Sequence, residues 1–165
     1  MEKKLNEIVS HFDLEGEVVA ITPLGSGLIN TTYKVTTESE NTPDYVLQNV
    51  NTSIFPDMDL LMRNIVEVTG HIRAKYEREG MKDLDKHVLR FLPAKDGKYY
   101  YFDGEKHWRI MVFIPDTVTK TQVNAETSYS WVRLSPISRR CWQTFRCSWA
   151  RQSRISTTWN GAFSS

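Results

Sequence analysis

Apolar residues recur at helical spacing in two stretches of the chain. The first stretch predicts a short helix that ends before Gly16. Its apolar positions, spaced i, i+3, i+4 and i+7, are Leu5, Ile8, Val9 and Phe12. The second stretch, residues 57–78, predicts the principal helix, whose apolar stripe consists of Leu61, Ile65, Val68 and Ile72. We expect this stripe to pack on a sheet and to contribute about 1.5–3 kcal/mol for each large side chain buried.

The segments between and after these helices are rich in β-branched and aromatic residues and are bounded by turn-forming residues. They predict strands at residues 18–23, 31–37, 45–49, 88–92, 99–102 and 108–114. A tight loop at 25–30 and two Asp-Gly pairs, at 96–97 and 103–104, supply turns. The order of elements favours an α+β fold, in which a twisted, mostly antiparallel sheet carries one long packed helix.

The loop between the first two predicted strands contains Gly25, Ser26 and Gly27. Such small residues let backbone N–H groups approach a phosphate without interference from a Cβ atom. The segment is neither a Walker A sequence nor a complete G-x-G-x-x-G, and no helix follows it, so a P-loop and a Rossmann fold are excluded. An ordinary hairpin turn and a phosphate-binding loop both remain open from these residues alone.

The charge of the chain changes abruptly near Glu126. All 20 acidic residues lie in the first 126 positions, against 15 Lys and Arg (21 less the six Arg that follow), which gives a net charge of −5. The last 39 residues carry six Arg, four of the five Trp and both Cys, without one acid or Lys. Three interpretations compete: a basic arm for nucleic acid or anionic lipid, a disulfide-bearing appendage, or a translation that has left its reading frame.

The third interpretation is testable on the sequence because Trp has a single codon. If translation is read from the third base of each codon, the bases that encode Trp131 and Val132 must encode Gly. The bases that encode Trp159 and Asn160 must likewise encode Glu. The recovered sequence contains acids, apolar positions at helical spacing and an F-x-D-F-Q segment. We therefore interpret residues 131–165 as a non-native, frameshifted tail and residues 1–130 as one domain. The two Cys of the tail then indicate nothing about the redox compartment.

Composition narrows the class of the first 126 residues. They suffice for one modest core, and they contain no apolar run of 18 residues and no signal-peptide pattern, so we expect a cytoplasmic protein. No Cys precedes residue 141, and the four His, at 11, 71, 87 and 107, lack the spacing of metal ligands. These residues predict neither a disulfide framework nor a zinc site.

Four segments carry a family resemblance. They are L-G-S-G-L-I-N-T-T-Y-K-V at 24–35, Y-V-L-Q-N-V-N-T at 45–52 with I-F at 54–55, N-I-V-E-V-T at 64–69, and W-R-I-M-V-F-I at 108–114. Together they resemble the N-terminal lobe of the aminoglycoside phosphotransferase/choline kinase-like family, closest to its sugar kinases of the N-acetylhexosamine 1-kinase type. The resemblance covers roughly residues 1–130 and implies a protein-kinase-like, ATP-binding lobe.

The resemblance implies roles for the loop and the strand after it. Gly25, Ser26 and Gly27 would cover the ATP phosphates. Asn30 and Thr32 would hold the loop or touch phosphate.

The resemblance also assigns the rest of the nucleotide site. Gln48 stands where protein kinases place a phosphate-binding Lys, and its neutral amide donates hydrogen bonds but brings no positive charge. Glu67 on the long helix would be the partner of Gln48, although an exposed Glu67 fits the spacing equally. A hinge strand would read and pack adenine, and it comprises Met111, Val112, Phe113 and Ile114.

Catalysis in this family needs carboxylates that the 165 residues do not supply. An H-G-D-x-x-x-x-N loop and a later Asp orient the acceptor hydroxyl and bind Mg²⁺. No His precedes Gly-Asp here, and Asp116 is the first acid after the hinge strand. We expect ATP, Mg²⁺ and a sugar or other hydroxylated acceptor for the complete enzyme, with neither nucleic acid nor membrane as partner, and no activity from this chain. A non-enzymatic nucleotide-binding module and a basic-tail nucleic-acid binder are the alternatives.

Overall fold

A computed structural model describes residues 2–25, 29–39 and 41–115 of the chain. Two α-helices and six strands follow one another in this part: α1 (Glu2–Ser10), β1 (Val18–Pro23), β2 (Thr31–Thr37), β3 (Tyr45–Val50), α2 (Met58–Arg78), β4 (Phe91–Leu92), β5 (Tyr101–Phe102) and β6 (His107–Val112). A 3-10 turn at Leu84–Lys86 precedes β4. The predicted tail, 131–165, and Asp116 lie outside the described residues.

All strand pairs of the sheet are antiparallel. The order is β1-β2-β3-β6-β4, and β5 pairs with β6 beside this path. The predicted α+β fold, with an antiparallel sheet and one long helix, is therefore confirmed. The bounds predicted for the first two strands also agree with the structure.

The last three strands are shorter than predicted. Residues 88–90 do not join β4, because the Val88 N–H still donates to the Leu84 carbonyl at 2.8 Å, which adds one α-helical turn after the 3-10 turn. β5 keeps only two of the four predicted residues. β6 ends at Val112, so Phe113 and Ile114 follow the strand instead of belonging to it.

The face of the sheet that carries α1 is closed by apolar side chains. The four predicted positions of α1 and its exit, Leu5, Ile8, Val9 and Phe12, are all buried. They pack with residues that alternate along the strands, including Val35, Leu47 and Ile110, each of which is fully buried. This arrangement confirms the amphipathic helix, since its stripe faces the core.

The opposite face of the sheet packs against α2 near the beginning of the helix. Asp57 caps the helix, because its carboxylate accepts a hydrogen bond from the Leu60 N–H at 2.8 Å. Met58 and Met62 are the buried residues of α2, and they join a cluster whose other members are Val50, Phe91, Tyr100 and Met111.

The apolar stripe predicted for α2 was only partly right. Leu61 and Ile65 are half-buried against the cluster, whereas Val68 and Ile72 are half-buried outside it. The physical reason is the position of the contact, because the two buried methionines are one turn apart in the first two turns of the helix. Within the described residues, no helix has the length and apolarity needed to cross a membrane.

Candidate functional site

A row of polar side chains crosses three neighbouring strands on the side of the sheet that faces α2. Thr32 on β2 lies opposite Gln48 on β3, and Gln48 lies opposite Arg109 on β6. The Gln48 Nε2 donates to Thr32 Oγ1 at 3.2 Å, and the Gln48 Oε1 accepts from Arg109. The neighbours of this row on β3 and β6, Val46 and Met111, are apolar.

Arg109 is the cation of this row, and the sequence analysis missed it. Its Nε and Nη2 donate to Gln48 Oε1 at 3.0 and 2.6 Å, and its Nη1 lies 3.7 Å from the Met62 sulfur. The guanidinium carbon lies 5.3 Å from the centroid of the Phe91 ring. Burial lowers the pKa of Arg109, although an arginine keeps its proton in proteins. The available signal was an Arg within an otherwise apolar strand, because such a charge needs a partner.

Glu67, the predicted partner of Gln48, is exposed on α2. The hydrogen bonds of the Gln48 amide run to Thr32 and Arg109. A pairing between Gln48 and Glu67 therefore stays a prediction.

The predicted phosphate loop is described at its two ends. Gly25 has φ +68°, a left-handed conformation that favours glycine, and a Cβ added there would meet nothing within 4 Å. The Leu24 N–H donates to the Thr32 carbonyl at 2.9 Å and closes the hairpin. Ser26 and Gly27 lie outside the described residues. The positive φ of Gly25, and not a lack of space for a side chain, is therefore what favours glycine at this position.

The side chain of Asn30 stabilises the C-terminal end of this loop. Its Oδ1 accepts a hydrogen bond from the Asn51 N–H at 3.0 Å, just after β3 ends. The two described ends of the loop are therefore tied to the sheet at Thr32 and near Asn51.

The predicted hinge lies at the other end of the same face. Met111 is buried in the α2-side cluster, and Val112 is buried with α1. The Val112 N–H donates to the Arg90 carbonyl at 2.9 Å, and the Phe113 N–H donates to the Asp44 carbonyl at 2.8 Å. Both amides are thus already used within the lobe.

Lys34 on β2 contacts two side chains at the hinge end of this face. Its Nζ lies 2.8 Å from Asp44 Oδ2 and 4.6 Å from the centroid of the Phe113 ring. Burial acts to raise the pKa of Asp44, but the hydrogen bonds from Lys34 and from the Thr37 N–H outweigh it and hold that pKa below its ordinary value. A cleft of about 600 Å³ opens here, lined among others by Lys34, Thr36, Asp44, Phe113 and Pro115.

The two ends of this face differ in chemistry. An aromatic ring, aliphatic carbons and a neutralised Lys lie at the hinge end, whereas hydrogen-bond donors and a guanidinium lie at the loop end. In the part of the chain that the structure describes, no group of three or more His, Cys, Asp or Glu is placed to hold a metal ion. The arrangement is suited to holding a ligand with an apolar and an anionic part.

Comparison with known proteins adds a distant structural likeness. No family model matches the chain. The fold is similar to that of the spectinomycin phosphotransferase APH(9)-Ia, crystallised in complex with ADP and spectinomycin, with a TM-score of 0.49 and 14% sequence identity. The similarity covers 84% of this chain, which spans 36% of the length of that structure.

Proposed function

We propose that residues 1–130 are the nucleotide-binding lobe of an ATP-dependent phosphotransferase of the aminoglycoside phosphotransferase/choline kinase-like family. The observation that carries the proposal is the polar row Thr32, Gln48 and Arg109 beside the small-residue loop, with the Phe113 cleft at the other end of the sheet. A nucleotide has the same polarity, since its base is flat and apolar on its faces and its phosphates are anionic. Such a lobe acts mainly by positioning ATP.

The proposal gives each end of the face one part of the nucleotide. The phosphates would lie at the loop that contains Gly25, Ser26 and Gly27, with Thr32 and Gln48 as further donors. Adenine would enter the cleft at Phe113. The Val112 and Phe113 amides already donate to backbone carbonyls, so neither of them would donate to the adenine edge.

The acceptor and the catalytic groups belong to the finer part of the proposal. We assign the complete enzyme to sugar kinases of the N-acetylhexosamine 1-kinase type, which would transfer the γ-phosphoryl group of Mg-ATP to an anomeric oxygen. Support comes from the four segments at 24–35, 45–55, 64–69 and 108–114. We also propose a cytoplasmic location, which is consistent with ATP as the cosubstrate. Mg²⁺ would be held by carboxylates outside residues 1–115, and it would neutralise charge on the phosphates.

Equilibrium binding to the 165-residue chain tests the proposed lobe. NMR titrations with ATP, ADP and adenosine should show weak, saturable binding, with the largest shifts at amides near Gly25, Gln48 and Phe113. Weak binding is expected because a single lobe leaves one side of the nucleotide in water. The absence of any saturable ATP effect at roughly 1 mM, a binding free energy near −4 kcal/mol, would contradict the proposal.

Activity tests the finer assignment. We expect no phosphoryl transfer to N-acetylhexosamines by the 165 residues with Mg-ATP, because the carboxylates that lower the barrier are absent from their sequence. Inserting one base near codon 131 of the encoding DNA, or deleting two, moves translation into the frame that begins at the third base of each codon. This change should restore an H-G-D-x-x-x-x-N segment and activity on a small hydroxylated metabolite. Activity from the 165 residues, or a restored frame without that segment, would refute the corresponding part of the assignment.

A further inference from the structure

Two cationic side chains lie on the α2-facing side of the central strands, and their surroundings differ. Lys34 is neutralised, because Asp44 Oδ2 lies 2.8 Å from its Nζ. Its ammonium also lies against the Phe113 ring, at the hinge end of the face. Lys34 therefore already has the anion that a half-buried ammonium needs.

Arg109 contacts only neutral groups among the described residues. These are the Gln48 carbonyl oxygen, the Met62 sulfur and the Phe91 ring. A charge withdrawn from water is costly unless an opposite charge compensates it. The described side chains around the half-buried guanidinium therefore provide no anion for it.

The geometry of the Arg109 contact indicates which anion would fit. Nε and Nη2 form the edge of a guanidinium that binds two oxygens of a phosphate or carboxylate with parallel hydrogen bonds. Here both atoms converge on one neutral oxygen, Gln48 Oε1. Gln48 also contacts Thr32, the second residue of the strand that follows the small-residue loop. The Arg109 fork is therefore connected through Gln48 to the strand that begins after the loop.

We infer that Arg109 supplies the positive charge that Gln48 lacks and binds a phosphate group of the nucleotide. The inference rests on the proposed function, because it assigns a ligand contact within the same site. Gln48 then acts as a positioning residue: its carbonyl holds the Nε and Nη2 edge of the guanidinium until a phosphate replaces it there, and its amide group remains a donor. The phosphate-binding cation of this lobe is carried by β6 instead of β3.

Nucleotide titrations of the full 165-residue chain test this assignment. We expect Arg109→Met to weaken ATP binding roughly tenfold to a hundredfold, the value of a charge-assisted hydrogen-bond pair. Adenosine affinity should stay unchanged, because adenosine has no phosphate. Arg78→Met is the matched control: it removes the same charge about 24 Å farther along α2 than Met62, at 1.5 Å per residue. It should leave both affinities unchanged.

A second pair of variants distinguishes a loss of ligand binding from a loss of folding. Arg109→Met alone leaves Gln48 Oε1 without its donor, whereas Gln48→Met/Arg109→Met removes both partners, which is often nearly neutral for stability. The double variant is compared with Gln48→Met, and the ATP affinity should again fall by at least roughly tenfold with adenosine unchanged. Thermal melts establish that the compared chains are folded.

The outcomes separate this inference from the proposed function. Wild-type ATP binding that survives the loss of Arg109 overturns the inference alone, as does a loss produced by Lys34→Met and not by Arg109→Met. Equal losses for ATP and adenosine also overturn it, because they indicate a structural role for the guanidinium. A wild-type chain that binds no ATP overturns the proposed function together with this inference.

Discussion

The two sides of the sheet are made from alternate residues of the same strands, yet they differ in chemistry. On β6, Trp108, Ile110 and Val112 face α1 and are buried, whereas Arg109 and Met111 face α2. The α1 side is closed with apolar side chains, whereas the buried residues of α2, Met58 and Met62, lie in the first two turns of that helix. One sheet thus combines a face that stabilises the fold with a face that keeps polar groups available.

The largest expected effect lies on the α1 side. Ile110 is fully buried there, so Ile110→Ala should lower the free energy of unfolding by about 2–5 kcal/mol, through lost burial and a residual cavity. Ile54→Ala is the matched control, since Ile54 is 50% exposed and its truncation should have little effect. Urea unfolding measures both. Equal losses would mean that the α1 side is not the stabilising core.

A smaller effect is expected at the contact between α2 and the sheet. Met62 is 2% exposed, and Met62→Ala should cost about 2 kcal/mol, the lower end of the usual range, because the helix can settle onto the shortened side chain. Ile72→Ala, farther along the same helix, should cost about 1 kcal/mol or less. Urea unfolding of both variants again gives the measurement. A larger loss at Ile72 would restore the stripe predicted from the sequence.

The free energy of unfolding should depend on pH through Asp103, which pairs with Lys4 of α1. Its carboxylate accepts from the Glu105 and Lys106 N–H groups and the Trp108 indole, and Lys4 pairs with it. Burial acts to raise the pKa of Asp103, but these donors outweigh burial and hold that pKa far below its ordinary value of 3.8. A lowered folded-state pKa gives stability that is present above the unfolded-state value and is lost as the pH falls towards the folded-state value.

Asp103→Asn tests this pH dependence. At neutral pH it should cost about 1–3 kcal/mol of unfolding free energy, because a charged acceptor is lost. The difference from wild type should shrink as the pH falls below about 4. Parallel stability curves for the two proteins between neutral pH and about pH 2 would contradict the role of the Asp103 carboxylate.

The smallest effect is expected at the beginning of α2. Asp57→Ala removes the acceptor for the Leu60 N–H and should cost about 1 kcal/mol. Asp57→Asn, which keeps an oxygen at the capping position, is the control and should retain most of the stability. Chemical denaturation with circular dichroism as the readout compares the three chains. No loss in the alanine variant would indicate that packing by Met58 alone fixes the helix start.

Local signals explain what the sequence predicted. β1, β2 and α2 were predicted closely because alternation, turn residues and a capping Asp57 are all read from neighbours in the chain. β4 and β5 were overestimated because two-residue strands exist only through pairing with β6. Met58 and Met62 were omitted because the predicted stripe weighted branched side chains and ran the length of the helix.

The contacts of the candidate site were harder to predict. Gln48 and Arg109 are 61 residues apart, and only the register of β3 against β6 places them side by side. The resemblance pointed to Gln48 and could not indicate that a guanidinium from another strand lies on it. Ser26, Gly27 and the tail predicted at 131–165 lie outside the described residues, so their roles stay predictions.

The cross-strand contact between Gln48 and Arg109 makes the two positions mutationally interdependent. A Lys introduced alone by Gln48→Lys would face a guanidinium across one strand spacing, and the repulsion would harm both folding and ligand binding. The same change made together with Arg109→Gln would instead return the single cation to β3 with its amide partner on β6. The double exchange should therefore be tolerated far better than the first substitution alone, a case of sign epistasis set by strand register.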